Sequence, residues 1–258
     1  MNQKVVERRT DLLAVNQLFY DRLWARARLA RPDRFSTWPL VRSLLTGAPT
    51  RLEIAPGLRP RLPIQGTCFL DISLPALTRL HEQGGVTACG TASALPLPDR
   101  HFGLLCALDV VEHVEDDAAA LAELARVARP GAILLLSVPL HRSAWSAFDE
   151  IVGHGRRYDP GQLMSALTQH GFVVERSAAF GMRPRSSRLL ALGMWFLARR
   201  PAHAMKWYNR LLFPLALRRQ KPLTLQDGLV EMNAVQEVFL VCRRTAGDPP
   251  LNPVAAPS

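Results

Sequence analysis

The side chains best suited to proton chemistry fall in two places. Asp109, Glu112 and His113 close the apolar run Phe102 to Leu108, and His154 stands in a polar-aromatic stretch further on. Imidazole titrates nearest to neutral pH, so His113 and His154 are the candidate bases for an oxygen or nitrogen nucleophile. His113 could equally be a loop histidine that packs or caps. Glu112 and the acids after it are explained by the electrostatics of a helix start. Arg157 and Tyr158 could line a pocket or grip an anionic group, or they could anchor their own loop to nearby carbonyls. Asp149 could bind a substrate hydroxyl or pair with Arg156 or Arg157. Tyr20 and Trp24 are four residues apart on a helix-like segment, where they form either an aromatic lid or a core stripe. Cys68, Cys89, Cys106 and Cys242 each sit in apolar, strand-like runs with no zinc or Cys-x-x-Cys spacing, so buried reduced thiols are expected and no metal is.

Such groups need a scaffold that gathers distant segments at one edge. Short apolar runs at residues 51–55, 69–72, 86–89, 104–108, 133–138, 172–176 and 236–242 read as strands. Helix-like segments separate most of them. Residues 74–83 end at Gly84-Gly85, a helix capped by Asp116 or Asp117 runs to Val127, and Asp159-Pro160 starts another that stops at Gly171. The alternation argues for an α/β, doubly wound, Rossmann-like sheet, mostly parallel. With no clear helix before the last strand, an antiparallel edge strand is expected. In such sheets ligands bind at the carboxyl ends of the strands.

Four successive strand ends carry groups suited to a methyl donor of the S-adenosylmethionine type. Glu53, Ala55 and Gly57 are placed for a tight turn beside the methionine part. Asp71 and Ile72 follow the second run, where an acid meets ribose hydroxyls. Thr91 and Ala92 follow the third, beside an adenine slot, and Asp109 follows the fourth. Leu-Glu-Ile-Ala-Pro-Gly, Phe-Leu-Asp-Ile-Ser, Ala-Leu-Asp-Val-Val-Glu-His-Val and Gly-His-Gly-Arg-Arg-Tyr together resemble the class I S-adenosylmethionine-dependent methyltransferases, small-molecule branch (the methyltransferase type 11 group), over residues 50 to 176. The resemblance implies the fold above, S-adenosylmethionine as cofactor and methyl transfer as activity. The chain departs from that pattern where Ala55 and Arg59 replace glycines, where Thr91 replaces an acid, and where prolines crowd residues 58–63. The organisation implied is an amino-terminal helical cap (1–48), a methyltransferase domain (49–245) with a helical insertion (182–225), and a Pro/Ala-rich disordered tail (246–258).

Charge is concentrated in one segment. Residues 183–221 hold ten basic side chains and no acid, which equals the net +10 of the 258-residue chain. Leu189 to Ala198 and Leu211 to Leu217 within it are apolar but shorter than the ~20 residues that span a bilayer. Trp195, Trp207 and Tyr208 are interfacial types, so an anionic membrane surface is the partner this segment suits. A lipid-like acceptor would unite the apolar and basic features. The alternatives are a helical cover over the acceptor side, an RNA methyltransferase using the charge, or a non-catalytic binding protein on the same fold. No early apolar stretch resembles a secretory signal, so a cytoplasmic location, peripheral at the inner membrane surface, is expected.

Overall fold

The computed structural model describes residues 14, 16–25, 27–181, 195–196 and 199–246. The first half of the basic segment, apart from Trp195 and Phe196, and the tail from 247 lie outside these residues. Eight strands form one sheet: β1 Arg51–Ile54, β2 Thr67–Asp71, β3 Val86–Cys89, β4 Phe102–Leu108, β5 Ala128–Pro139, β6 Phe172–Ala179, β7 Gln226–Asp227 and β8 Glu237–Arg244. Their spatial order is β3-β2-β1-β4-β5-β8-β6-β7. The pairings among β1 to β5 are parallel, whereas β8 is antiparallel to both β5 and β6. The edge strand β7 is antiparallel to β6.

The architecture is therefore the mostly parallel doubly wound sheet with an antiparallel edge. One placement differs from the sequence expectation. The final strand is antiparallel, but it threads between β5 and β6 instead of forming the edge. Its run Val238 to Cys242 is wholly buried, with Val238, Leu240 and Cys242 in one core layer and Phe239 and Val241 in the other. A strand apolar on both faces requires cover on both faces, and only an interior position supplies it.

Helices pack on each side. They are α1 Trp38–Leu44, α2 Leu74–Glu82, α3 Asp117–Val127, α4 Ala147–Val152, α5 Pro160–Gln169, α6 Pro201–Trp207 and α7 Phe213–Arg219, with residues 16–24 forming an amino-terminal helix. Leu121 and Leu124 of α3 and Leu163 and Leu167 of α5 join Leu105 and Ala107 of β4 in the larger layer. Leu40 and Val41 of α1 join Leu104 and Cys106 of the same strand on the opposite side. The side chains of β4 thus alternate between layers while staying buried, as a central strand demands. Asp116 caps α3 by accepting from the Ala119 amide at 2.9 Å, and Asp159 caps α5.

The β1–β2 connection sets this chain apart. Residues 55–66 form bends and turns with no helix, as Pro60 and Pro63 dictate by removing amide donors. The strand order reverses between β1 and β4, so the crevice at their carboxyl ends is where the fold exposes a ligand site.

Candidate active site

That crevice holds a cavity of about 550 Å³. One wall is built from the ends of β1 and β2. The Glu53 carboxylate accepts hydrogen bonds from the backbone amides of Arg61 (2.8 Å) and Leu62 (2.9 Å), which ties the proline-rich loop under the strand. Asp71 accepts from the Gly57 amide at 2.9 Å and the Ser73 amide at 2.8 Å. Both acids are buried, and desolvation outweighs these bonds, raising Glu53 to about 7 and Asp71 to about 6. Gly57 has φ +53°, and a Cβ there would lie 2.2 Å from the Trp24 ring, so position 57 requires glycine twice over. Ala55 adopts φ +51° without being glycine, a conformation that costs an L-residue ~1–2 kcal/mol.

The amino-terminal helix roofs this wall. Asn16, Tyr20 and Trp24, spaced one turn apart, all face the cavity. The helix is pinned by Ser73 Oγ donating to Asp21 (2.6 Å) and by Gln17 donating to the Ile72 carbonyl (3.2 Å). Arg59 also lines the cavity, its guanidinium 3.7 Å from the centre of the Phe213 ring and 5.0 Å from those of Trp24 and Tyr208. This cation–π cage clasps the β1 loop to the start of α7.

The other wall is formed where β4 ends. Asp109, at φ +55°, lines the cavity and accepts from Ser137 Oγ at 2.6 Å. His113 lines it too. Its Nδ1 lies 3.0 Å from the Gly153 carbonyl, which can only accept, so Nδ1 carries the proton and Nε2 the lone pair. The Tyr20 hydroxyl stands 3.4 Å from that Nε2. Burial, reinforced by His154, lowers His113 to about 3, so the ring is neutral. Burial, with the charges of Glu112 and Asp109, raises the Tyr20 hydroxyl above its ordinary value.

His154 sits behind His113, the ring centres 4.7 Å apart and nearly perpendicular, and does not line the cavity. Its Nδ1 is 2.9 Å from Asp149 Oδ1, which also accepts from Arg157 Nε at 2.9 Å. Arg157 Nη2 is 2.9 Å from the same oxygen as an ion pair but is not aligned to donate. Burial pushes the Asp149 carboxyl up, but the bonds from Arg157 and Ser146 outweigh it and hold the group at about 2. Glu112 is fully buried, and neither carboxylate oxygen has a hydrogen-bond partner.

Of the residues singled out from sequence, Tyr20, Trp24, Glu53, Ala55, Asp71, Ile72, Thr91, Ala92, Asp109 and His113 meet around one cavity. Gly57 serves it through its amide. Arg157 and Tyr158 do not line it: Arg157 is buried against Asp149 and the Leu140 carbonyl, and the Tyr158 hydroxyl donates to Asp117 at 2.9 Å from a ring held in the core. Both are anchors of the loop after β5, because each has its polar group answered from inside the fold. Asn16, Arg59 and Arg61 are among the lining residues that were missed. Asn16 continues the Tyr20–Trp24 stripe one turn earlier, a signal present in the spacing. Arg59 and Arg61 gave no such signal, since their position follows from the absence of a helix after β1.

Fold and site together define the Rossmann-like class to which class I methyltransferases belong, and comparison with known proteins agrees. The sequence profile of a methyltransferase domain matches residues 61–136. A probable S-adenosylmethionine-dependent methyltransferase of Mycolicibacterium smegmatis is 33% identical over 88 residues, 33% of this chain and 34% of that protein. The match therefore spans about a third of the curated relative's length. Among solved structures, an S-adenosylmethionine-dependent methyltransferase from Thermotoga maritima superimposes with a TM-score of 0.54 at 15% identity, covering 94% of this chain and 97% of that one. The [4+2]-cyclase SpnF superimposes with a TM-score of 0.51 at 18% identity, covering 81% of each chain. Residues 61–136 are thus similar in sequence to an S-adenosylmethionine-dependent methyltransferase domain, and the fold is the one seen in such enzymes. The likeness to a cyclase is a reminder that the fold by itself does not name the reaction.

Proposed function

We propose that the protein transfers a methyl group from S-adenosylmethionine to a small or lipid-like acceptor at oxygen or nitrogen. The observation that carries this reading is the Asp71 carboxylate, buried at the end of β2 beneath the Asn16–Tyr20–Trp24 roof. The residues fit the donor. The cavity volume of about 550 Å³ lies within the ~300–1,000 Å³ range of small-molecule sites. A carboxylate offers about four acceptor positions, so the two backbone amides leave Asp71 room for a pair of ribose hydroxyls. Ala92 and Val110 border an apolar slot beside Thr91 and Ser93 that suits adenine. Arg59 and Arg61 supply cations where a helix amino terminus is missing, and a carboxylate on the donor suits them.

Bound S-adenosylmethionine supplies an electrophilic methyl group on a sulfonium. The chain contributes position and dryness: Tyr20 and Trp24 exclude water, and the sheet ends hold the reactants near attack distance. His113, at the cavity wall, is the side chain that would stand beside the acceptor. His154 acts through His113 and positions it.

Calorimetric titration with S-adenosylmethionine and S-adenosylhomocysteine tests the reading. Both should bind, and Asp71→Ala should weaken both. An absence of heat and of thermal shift would favour a non-catalytic role, and unchanged affinity in Asp71→Ala would remove the ribose assignment.

A lipid-like acceptor is favoured by the surface of α6, α7 and the π-helical turn Tyr208–Leu212 between them. Trp207, Leu211, Leu212 and Leu215 are exposed there beside Lys206, Arg210, Arg218 and Arg219. None of the helices among the described residues is long and apolar enough to cross a membrane. An apolar ridge with a cationic edge suits docking on an anionic bilayer, where each basic residue adds ~1 kcal/mol. Flotation with phosphatidylserine vesicles at low salt should carry the protein upward, and failure to float would leave a water-soluble acceptor. Tight, steeply salt-dependent binding to RNA instead would point to a nucleic-acid acceptor.

A further inference from the structure

We infer that Glu112, His113 and His154 form a binding site for a single divalent transition-metal ion at the inner wall of the cavity. One candidate ligand atom from each of the three residues lies within 4.8 Å of the others. Atoms sharing an ion at ~2.1 Å stand roughly 3 to 3.5 Å apart, so the three side chains would close by about 1 Å on loading.

Three features separate this cluster from a chance meeting of polar groups. Glu112 is completely buried, yet both of its oxygens lack a hydrogen-bond partner, and Oε1 faces His154 Nε2 at 3.8 Å. A buried carboxylate left so is costly unless something cationic completes it. Each histidine also has its Nδ1 proton taken by an oxygen acceptor, the Gly153 carbonyl for His113 and the Asp149 carboxylate for His154. That leaves the Nε2 lone pair of each ring available, which is how metal-binding histidines are oriented. The 3.4 Å approach of the Tyr20 hydroxyl is the one competing contact at His113 Nε2. Finally, Asp149 is itself fixed by Arg157 and Ser146, so the supporting acceptor is rigid.

Spacing along the chain conceals the site. Glu112 and His113 are adjacent at the end of β4, whereas His154 arrives from the loop after α4. The donor set, two imidazoles and one carboxylate, suits Zn²⁺, Co²⁺, Fe²⁺ or Mn²⁺ over the all-oxygen shells of Ca²⁺ and Mg²⁺. Because His113 borders the cavity, an open position on the ion would meet an acceptor carrying an oxygen ligand such as a hydroxyl. This assignment of acceptor class rests on the methyl-transfer reading; the ion site does not.

The test uses the full chain, stripped with a chelator and kept free of donor and acceptor, titrated with Co²⁺ and Zn²⁺. Wild type should bind a single ion, show Co²⁺ visible bands, and melt at a temperature that climbs with ion concentration. X-ray absorption of the Zn²⁺-loaded wild type should show two imidazoles in the shell. Glu112→Gln and His154→Gln should each weaken binding roughly 10-fold or more. No binding, an oxygen-only shell, or unchanged affinity in both variants overturns the site; if the variants do not fold, the wild-type shell decides. Titration with S-adenosylhomocysteine in parallel keeps the two readings apart. Ion binding without donor binding would sink the methyl-transfer reading alone, and the reverse would sink the ion site alone.

Discussion

The two sides of the cavity treat buried acids in opposite ways. At the ends of β1 and β2, Glu53 and Asp71 are buried, yet each accepts two backbone amides. Behind the opposite wall, Glu112 is buried with no hydrogen bond, and two imidazoles whose pKa burial lowers stand beside it. The first wall is complete as the chain folds, and its carboxylates shape a loop as much as they await a ligand. The second is unfinished, since Glu112 has no hydrogen-bond partner there and burial pushes its carboxyl well above the ordinary value. Complete networks give rigidity, whereas incomplete ones mark where a ligand supplies the missing partner.

The contrast can be broken most forcefully at Gly57. Gly57→Val places a branched side chain into the Trp24 ring at a left-handed backbone position, combining a steric clash with conformational strain. Stability should fall by ~2–4 kcal/mol, with donor affinity lost by calorimetry and Trp24 exposed by fluorescence. At the opposite wall the sign should reverse. Glu112→Gln keeps the shape and removes the cost of burying or protonating a carboxylate there, so the chelated protein should gain about 1–3 kcal/mol at pH 8 in thermal denaturation. A loss of stability there would mean that the carboxylate is answered after all.

A third measurement sharpens the donor wall. Burial holds Asp71 at about 6, above its ordinary 3.8. The ionised form is the better acceptor for ribose hydroxyls and the better match for a cationic donor. Donor affinity should therefore rise as pH passes up through about 6 and level off above it, falling roughly tenfold per unit below. The smallest effect belongs to Ala55. Ala55→Gly relieves a left-handed alanine at φ +51°, and denaturant titration should show a gain of up to ~1 kcal/mol with donor binding intact.

Much of the wall formed by β1 and β2 was legible because its residues are local to strand ends. Asp71 follows an apolar run, Gly57 follows an acid, and both positions are set by where a strand stops. The helix starts at Asp116 or Asp117 and at Asp159 were legible for the same reason, since each cap depends on a few neighbouring residues; the structure settles the first on Asp116. The roof was half visible, as the one-turn spacing of Tyr20 and Trp24 names a face but not what it covers. Arg157 and Tyr158 misled because residue type alone does not reveal whether a polar group is answered from within. Their partners, Asp149 and Asp117, come from other elements, and burial follows from that packing.

By itself the sequence determined the order of the seven longer strands and of helices α2, α3 and α5, the mostly parallel sheet, the carboxylates at its edge and the concentration of positive charge in one segment. These follow from periodicity, chain stops and composition, which act over a few residues. Only the tertiary structure decided that β8 lies inside the sheet, that Arg59 is caged by Trp24, Tyr208 and Phe213, and that His154 reaches Glu112 and His113. Those arrangements join segments far apart in the chain. Their energies depend on which groups are desolvated together, a property of the packed molecule that no local spacing encodes.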